Sequence, residues 1–209
     1  MALPSFKFYE IPELEKIAEG FLAERYPTLT IPPAIDIEYL IADQKADILP
    51  VHNIWHDFRV KGIVVFYKGS PTVCIDAEHL DRYPELSRFT MAEELGHLLL
   101  HRSLFEDCST VEKATQRYLA LDGKVIDRLD RNARFLGAAI VIPRKILQEE
   151  LDDLLINQSL AGCRDWREGI VEAAEVLHDK YEISEVTMQN RIQCRTFTDW
   201  ITRLTASLR

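Results

Sequence analysis

Arg88-Phe89-Thr90-Met91-Ala92-Glu93-Glu94-Leu95-Gly96-His97-Leu98-Leu99-Leu100-His101 is the stretch on which the reading of the fold turns. Glu93, His97 and His101 follow one another at intervals of four, so a helix brings all three to one face. Glu94 lies three before His97, beside that line. Around them stand Leu95, Leu98, Leu99 and Leu100. Ionisable side chains set in apolar surroundings are paired, coordinate a metal or work in a site. The stretch therefore predicts a central helix over 87–101 that carries a polar line into an apolar body.

Glu93-Glu94-Leu95-Gly96-His97 is one residue away from H-E-x-x-H. In that motif two His bind zinc from one helical face and the Glu between them activates the bound water. Here the general-base Glu and the second His are present, and a Glu stands in the first His position. A carboxylate can bind zinc, so a metal is still compatible with the pattern. Two adjacent carboxylates resist joint ionisation unless a cation lies between them.

Residues 88–101 resemble the central helix of the ImmA/IrrE family of bacterial metallopeptidases, which reads R-F-T-x-A-H-E-x-G-H. The match holds at nearly every position except Glu93. A second stretch, Leu129-Asp130-Arg131-Asn132-Ala133-Arg134-Phe135-Leu136-Gly137-Ala138-Ala139-Ile140-Val141-Ile142-Pro143, looks like the family's second conserved helix, whose acidic start supplies a third zinc ligand. By alignment that ligand falls on Asp130 or on Asn132. Tyr181 to Ile192 is similar to the pattern that closes the peptidase unit. The resemblance spans about residues 10–194. It implies an α+β, zincin-like fold in which a small mixed β-sheet packs on the motif helix, followed by a mostly helical C-terminal half. In domain terms it implies a peptidase-like unit over 10–194, with sheet and motif helix in 35–103 and a helical part in 111–194, then a C-terminal helix over 195–209.

What the family does would carry over as follows. Glu93, His97 and Asp130 would be the metal set, Glu94 the catalytic base, and zinc or a harder ion such as Mn²⁺ the cofactor. The implied partner is a helix-turn-helix transcriptional repressor. Three readings stay open. In the first, the metal site is altered to the point of decay and the chain is a regulatory or binding module for a protein partner, with no metal. In the second, Glu93, His97 and Asp130 serve an active metal-dependent endopeptidase with Glu94 as general base. In the third, a different site is built on His97 and His101. The first leads, because catalytic zinc sites keep three protein ligands of defined geometry.

Outside these motifs the chain is informative mainly by exclusion. Its 209 residues suffice for a real core. A formal charge of −9 argues against direct nucleic-acid binding. No apolar run reaches membrane-spanning length, and Met1 to Ser5 is not the start of a signal peptide. Cys74, Cys108, Cys163 and Cys194 are widely spaced, as reduced thiols of a cytoplasmic protein would be.

Periodicity predicts helices over 11–25, 36–44, 111–121, 124–142, 143–155, 165–180 and 196–207, and one capped at Ser184. It predicts strands over 46–51, 58–67 and 72–75, the last two forming a hairpin. Thr30-Ile31-Pro32-Pro33 reads as an extended connector and Asn53-Ile54-Trp55 as loop. An edge of the sheet is expected to pair with an extended substrate peptide.

Overall fold

The structure, a computed structural model, describes residues 6–27 and 31–208. The chain divides into two compact units. The first holds residues 6–10 and 36–137. The second holds residues 11–27, 31–35 and 138–208.

The first unit is built on a three-stranded sheet. Strands β1 (Asp47–Val51), β2 (Gly62–Tyr67) and β3 (Ser70–Asp76) lie in the order β1-β3-β2. β2 and β3 form the expected antiparallel hairpin around Gly69, whose φ of +85° suits a residue without a Cβ. β1 runs parallel to β3, so the sheet is mixed. The central strand is buried along Val73, Cys74 and Ile75, as a strand covered on both faces must be.

Helix α1 (Ile11–Arg25) belongs to the second unit and is described with it. Helix α2 (Ile37–Asp43) starts where the Asp36 carboxylate accepts from the Tyr39 N–H. Helix α3 (Ile54–Phe58) occupies the stretch expected to be loop, and it takes Phe58 out of the expected second strand. Local propensity there is poor; a tertiary bond from the Trp55 N–H to the Asp76 carboxylate fastens its first turn. Helix α4 (Ala77–Arg82) was not foreseen, although Asp76 caps it by accepting from the His79 N–H.

Helix α5 (Pro84–Phe105) carries the motif and packs on β2 and β3. Pro84 opens it, where a missing N–H costs nothing. It runs a turn past the expected end at His101, whose backbone (φ −127°, ψ 22°) departs from helical values before the helix resumes. Helix α6 (Val111–Leu119), capped by the Thr110 side chain, follows. Helix α7 (Gly123–Val141) comes next, with residues 123–137 in this unit.

Helices α5 and α7 meet with their backbones in contact. A Cβ on Gly96 would lie 2.4 Å from the Ala133 carbonyl oxygen, and one on Gly137 would lie 2.6 Å from that of Ala92. Only glycine permits such an approach. The crossing sets Ala133, and Asp130 one turn before it, against the polar line of α5.

In the second unit α1 is joined by α8 (Arg144–Ile156), α9 (Trp166–Leu177), α10 (Glu185–Ile192) and α11 (Thr198–Ser207). The cap predicted at Ser184 is present, and Asp165, the expected first residue of α9, caps that helix. Pro143 is the N-cap of α8 rather than part of its first turn. The core holds Trp200, whose ring N–H donates to the Leu151 carbonyl, and an Arg191–Glu15 ion pair with both side chains buried. Of the expected connector, Thr30 lies outside the described residues. No helix among the described residues is long and apolar enough to cross a membrane.

Candidate metal centre

Three ligand atoms, one each from Glu93, His97 and Asp130, lie within 4.8 Å of one another. Glu93 and His97 come from successive turns of α5, and Asp130 comes from α7. The side chain of His97 is almost wholly buried, with its Nε2 3.4 Å from Asp130 Oδ1. The Tyr118 hydroxyl, from α6, donates to that same Asp130 oxygen. Glu93 is held from the solvent side by Arg134, with Nη2 at 2.9 Å from one carboxylate oxygen and Nε at 3.4 Å from the other. Arg134 follows Asp130 by four, so both reach over α5 from one face of α7.

The two candidates for the third position, Asp130 and Asn132, point to different sides of α7. Asn132 is buried on the other side of α7, where its amide donates to the Tyr9 carbonyl and its oxygen accepts from the Tyr9 N–H. Asp130 faces His97. Asn132 is therefore a structural residue that ties the segment around Tyr9 to α7.

The electrostatics follow from burial and from the crowd of carboxylates. Burial pushes Glu94 up to about 8; the charge of His97 opposes this, and those of Glu93 and Asp130 add to it. A bond from the Val64 N–H of β2 pulls the other way. Burial alone would lower His97, but its bond to Asp130 and the charges of Glu94, Asp130 and Glu93 raise it above the ordinary value. Asp130 is held low despite partial burial by His97, Tyr118 and Arg134. Burial first, then the Asp130 bond, keep the Tyr118 hydroxyl protonated.

His101 lies behind His97, fully buried, with Nδ1 to Nδ1 at 3.2 Å and ring centroids 5.1 Å apart. Burial, with the charge of His97, depresses it to about 3. It does not join the three convergent ligand atoms. Of the pair in the third reading, only His97 converges with Glu93 and Asp130 among the described residues.

Gly62, at the start of β2, opens space for Glu94: a Cβ there would lie 2.9 Å from the Glu94 Cγ and from the Thr90 methyl carbon. Glu94 is wedged between strand and helix. The nearby edge of β2 is also partly engaged, because the Phe66 N–H donates to the Cys108 carbonyl at 2.7 Å. A peptide adding to that edge meets one N–H already in use, that of Phe66.

Sequence reasoning named Glu93, Glu94, His97 and Asp130 but not Tyr118, Arg134 or Gly62. Arg134 carried a readable signal in its spacing of four from Asp130. Tyr118 and Gly62 reach the site only through tertiary packing, and nothing local marks them.

A profile of the IrrE N-terminal-like domain, a peptidase family, matches residues 56–193. The chain belongs to that family. The match runs from α3 to the end of α10 and includes all of the ImmA/IrrE-like motifs read above. Comparison with curated proteins gives no match.

The donor set can be tested against the metal that the ImmA/IrrE family implies. Donors about 2.1 Å from a shared ion lie roughly 3–4 Å apart. A spread of 4.8 Å is close to that, so the side chains fit an ion after a small contraction. Two carboxylates and one imidazole form a harder set than two imidazoles and one carboxylate.

Proposed function

We propose that this ImmA/IrrE-family chain is a metal-dependent endopeptidase with an altered ligand set, acting on a protein partner of the helix-turn-helix repressor type. The observation that carries this reading is the convergence of Glu93, His97 and Asp130 beside Glu94. Glu93, His97 and Asp130 would hold the ion; zinc or, given the oxygen-rich set, Mn²⁺ fits. When bound, such an ion supplies Lewis acidity and an acidified water for hydrolysis.

The chain's own residues do the rest. Glu94 is the general base: its carboxylate, ionised once a bound cation offsets the neighbouring anions, takes a proton from water and returns it to the leaving amine. Without an ion, burial and the neighbouring anions favour the protonated form of this group. Tyr118 orients Asp130 by a hydrogen bond, and Gly62 keeps the Glu94 carboxyl pressed against β2. Four cysteines present as free thiols agree with a reducing, cytoplasmic setting.

A second reading has its own observation. The Arg134 guanidinium already neutralises Glu93, as a protein cation replacing a metal would. Under that reading the chain is a regulatory or binding module that keeps the fold and recognises its partner without cutting it.

Elemental mass spectrometry of protein supplied with Zn²⁺ or Mn²⁺, before and after chelator, separates the two. About one ion per chain, lost in His97→Ala, with cleavage of a repressor-type substrate abolished in Glu94→Gln, is the expected result. A folded protein that retains neither ion establishes the binding module and ends the peptidase reading.

A further inference from the structure

His101 is difficult to account for as packing. It follows Leu98, Leu99 and Leu100, is fully buried, and its Nε2 has no hydrogen-bond partner. A leucine would fill such a place without leaving a polar atom unmatched, and an unmatched buried polar atom is costly. Among the described residues the one hydrogen bond of the ring is to His97, Nδ1 to Nδ1 at 3.2 Å. The other nitrogen of His97 is the one turned toward Asp130.

We propose that His101 is a positioning residue for His97: its Nδ1 accepts the His97 Nδ1–H, which leaves His97 Nε2 free to face Glu93 and Asp130. This rests on the metal-centre reading above and deepens it. A neutral imidazole carries one ring proton. If Nε2 is to give its lone pair to an ion, that proton sits on Nδ1 and needs an acceptor. In a site so dry, the acceptor must come from the protein, and His101 Nδ1 is the atom in reach. Its own proton then lies on Nε2. Ligating histidines generally have their second nitrogen bonded to a carboxylate, carbonyl or water, and losing that partner typically lowers metal affinity by about 10–100-fold. Here a neutral imidazole fills the role, which adds no further anion beside Glu93, Glu94 and Asp130. The departure of the α5 backbone from helical values falls on His101 itself, the residue whose ring is turned back to His97.

The test combines ring-nitrogen NMR with metal titration. In the metal-free protein, a ring N–H shared between the two histidines and protected from exchange is expected, and it should vanish in His101→Leu. Its absence in the wild type would overturn the proposal whatever the metal does. With Zn²⁺ bound, His97 should carry its proton on Nδ1 and His101 on Nε2; the opposite assignment also overturns it. Affinity for Zn²⁺ and for Mn²⁺ should fall by about 10–100-fold in His101→Leu and recover most of the way in His101→Asn, whose side-chain oxygen can accept in the same place. Equal losses in both variants would mean that His101 only fills space. If the wild type binds neither ion, the metal-centre reading has failed, and the shared proton alone decides whether His101 holds His97.

Discussion

Replacing Gly96 with Ala should damage both stability and site, and its size can be worked from the crossing of α5 and α7. The added methyl would lie 2.4 Å from the Ala133 carbonyl oxygen and 3.0 Å from two further Ala133 backbone atoms. Ordinary van der Waals contact begins at 3.4 Å, so the deficit is about one ångström against backbone that cannot rotate away. Overpacking costs about 1–3 kcal/mol, and a clash this close with rigid backbone falls at the upper end, about 2–3 kcal/mol. Alanine's better helix propensity returns about 1 kcal/mol. The expected net loss is therefore about 1–2 kcal/mol, or a fall in Tm of roughly 2–8 °C. Gly20→Ala is the control: it lies inside α1 with nothing within 4 Å of its added Cβ. That substitution should stabilise by about 0.5–1 kcal/mol. Urea unfolding followed by circular dichroism reads both. If Gly96→Ala is as stable as the wild type, or shifts in the same direction as Gly20→Ala, then the close crossing is not what holds α7 against α5.

Metal-free protein should lose stability as pH rises from about 4.5 towards 8, because the folded state keeps the Glu94 proton that the unfolded chain releases. Each fully coupled proton contributes about 1.4 kcal/mol per pH unit. His101, depressed in the fold, acts oppositely below 6.5; above 6.5 His97, raised in the fold, adds to the Glu94 slope, so Glu94→Gln should make the fall in stability between 6.5 and 8 shallower without removing it in urea melts. Asp130→Asn should abolish ion uptake while leaving the protein folded, whereas Asn132→Ala should lower stability by about 1–3 kcal/mol and still take up the ion. The reverse pattern in a metal assay would reassign the third ligand. Arg191→Met should cost about 3–5 kcal/mol by leaving Glu15 buried without its partner, and the Glu15→Leu, Arg191→Met pair should recover most of it. Failure of the pair to recover would show that Thr196, which also donates to Glu15, or the shape of the pocket matters more.

The motif helix, the hairpin and the helices of the C-terminal half were legible because each rests on local terms: spacing, caps and turn residues. Asp36, Asp165 and Ser184 cap the helices they were expected to begin. What escaped was non-local. Helix α3 exists because Asp76, far along the chain, accepts from Trp55. The parallel pairing of β1 depends on a crossover that its own residues do not announce. Within the site, Glu93, Glu94 and His97 could be read from one helical face, and Asp130 from the family pattern with Asn132 as its rival. Their separation needed the rotation of α7, since two positions along a helix point in nearly opposite directions. Tyr118 and Gly62 joined the site only when α6 and β2 were in place.

The contact between Arg134 and Glu93 changes what loading this centre means. The Glu93 carboxylate does not wait in water for a visitor; it already has a resident cation, tethered to the same helix as Asp130. Taking up an ion is then an exchange, in which one positive partner leaves as another arrives. The free-energy difference between the two states is smaller than either attraction alone, so loading should be easy to reverse. A guanidinium released in this way, on a side chain already more than half exposed, would swing into solvent at the mouth of the site each time the ion arrives and return each time it leaves.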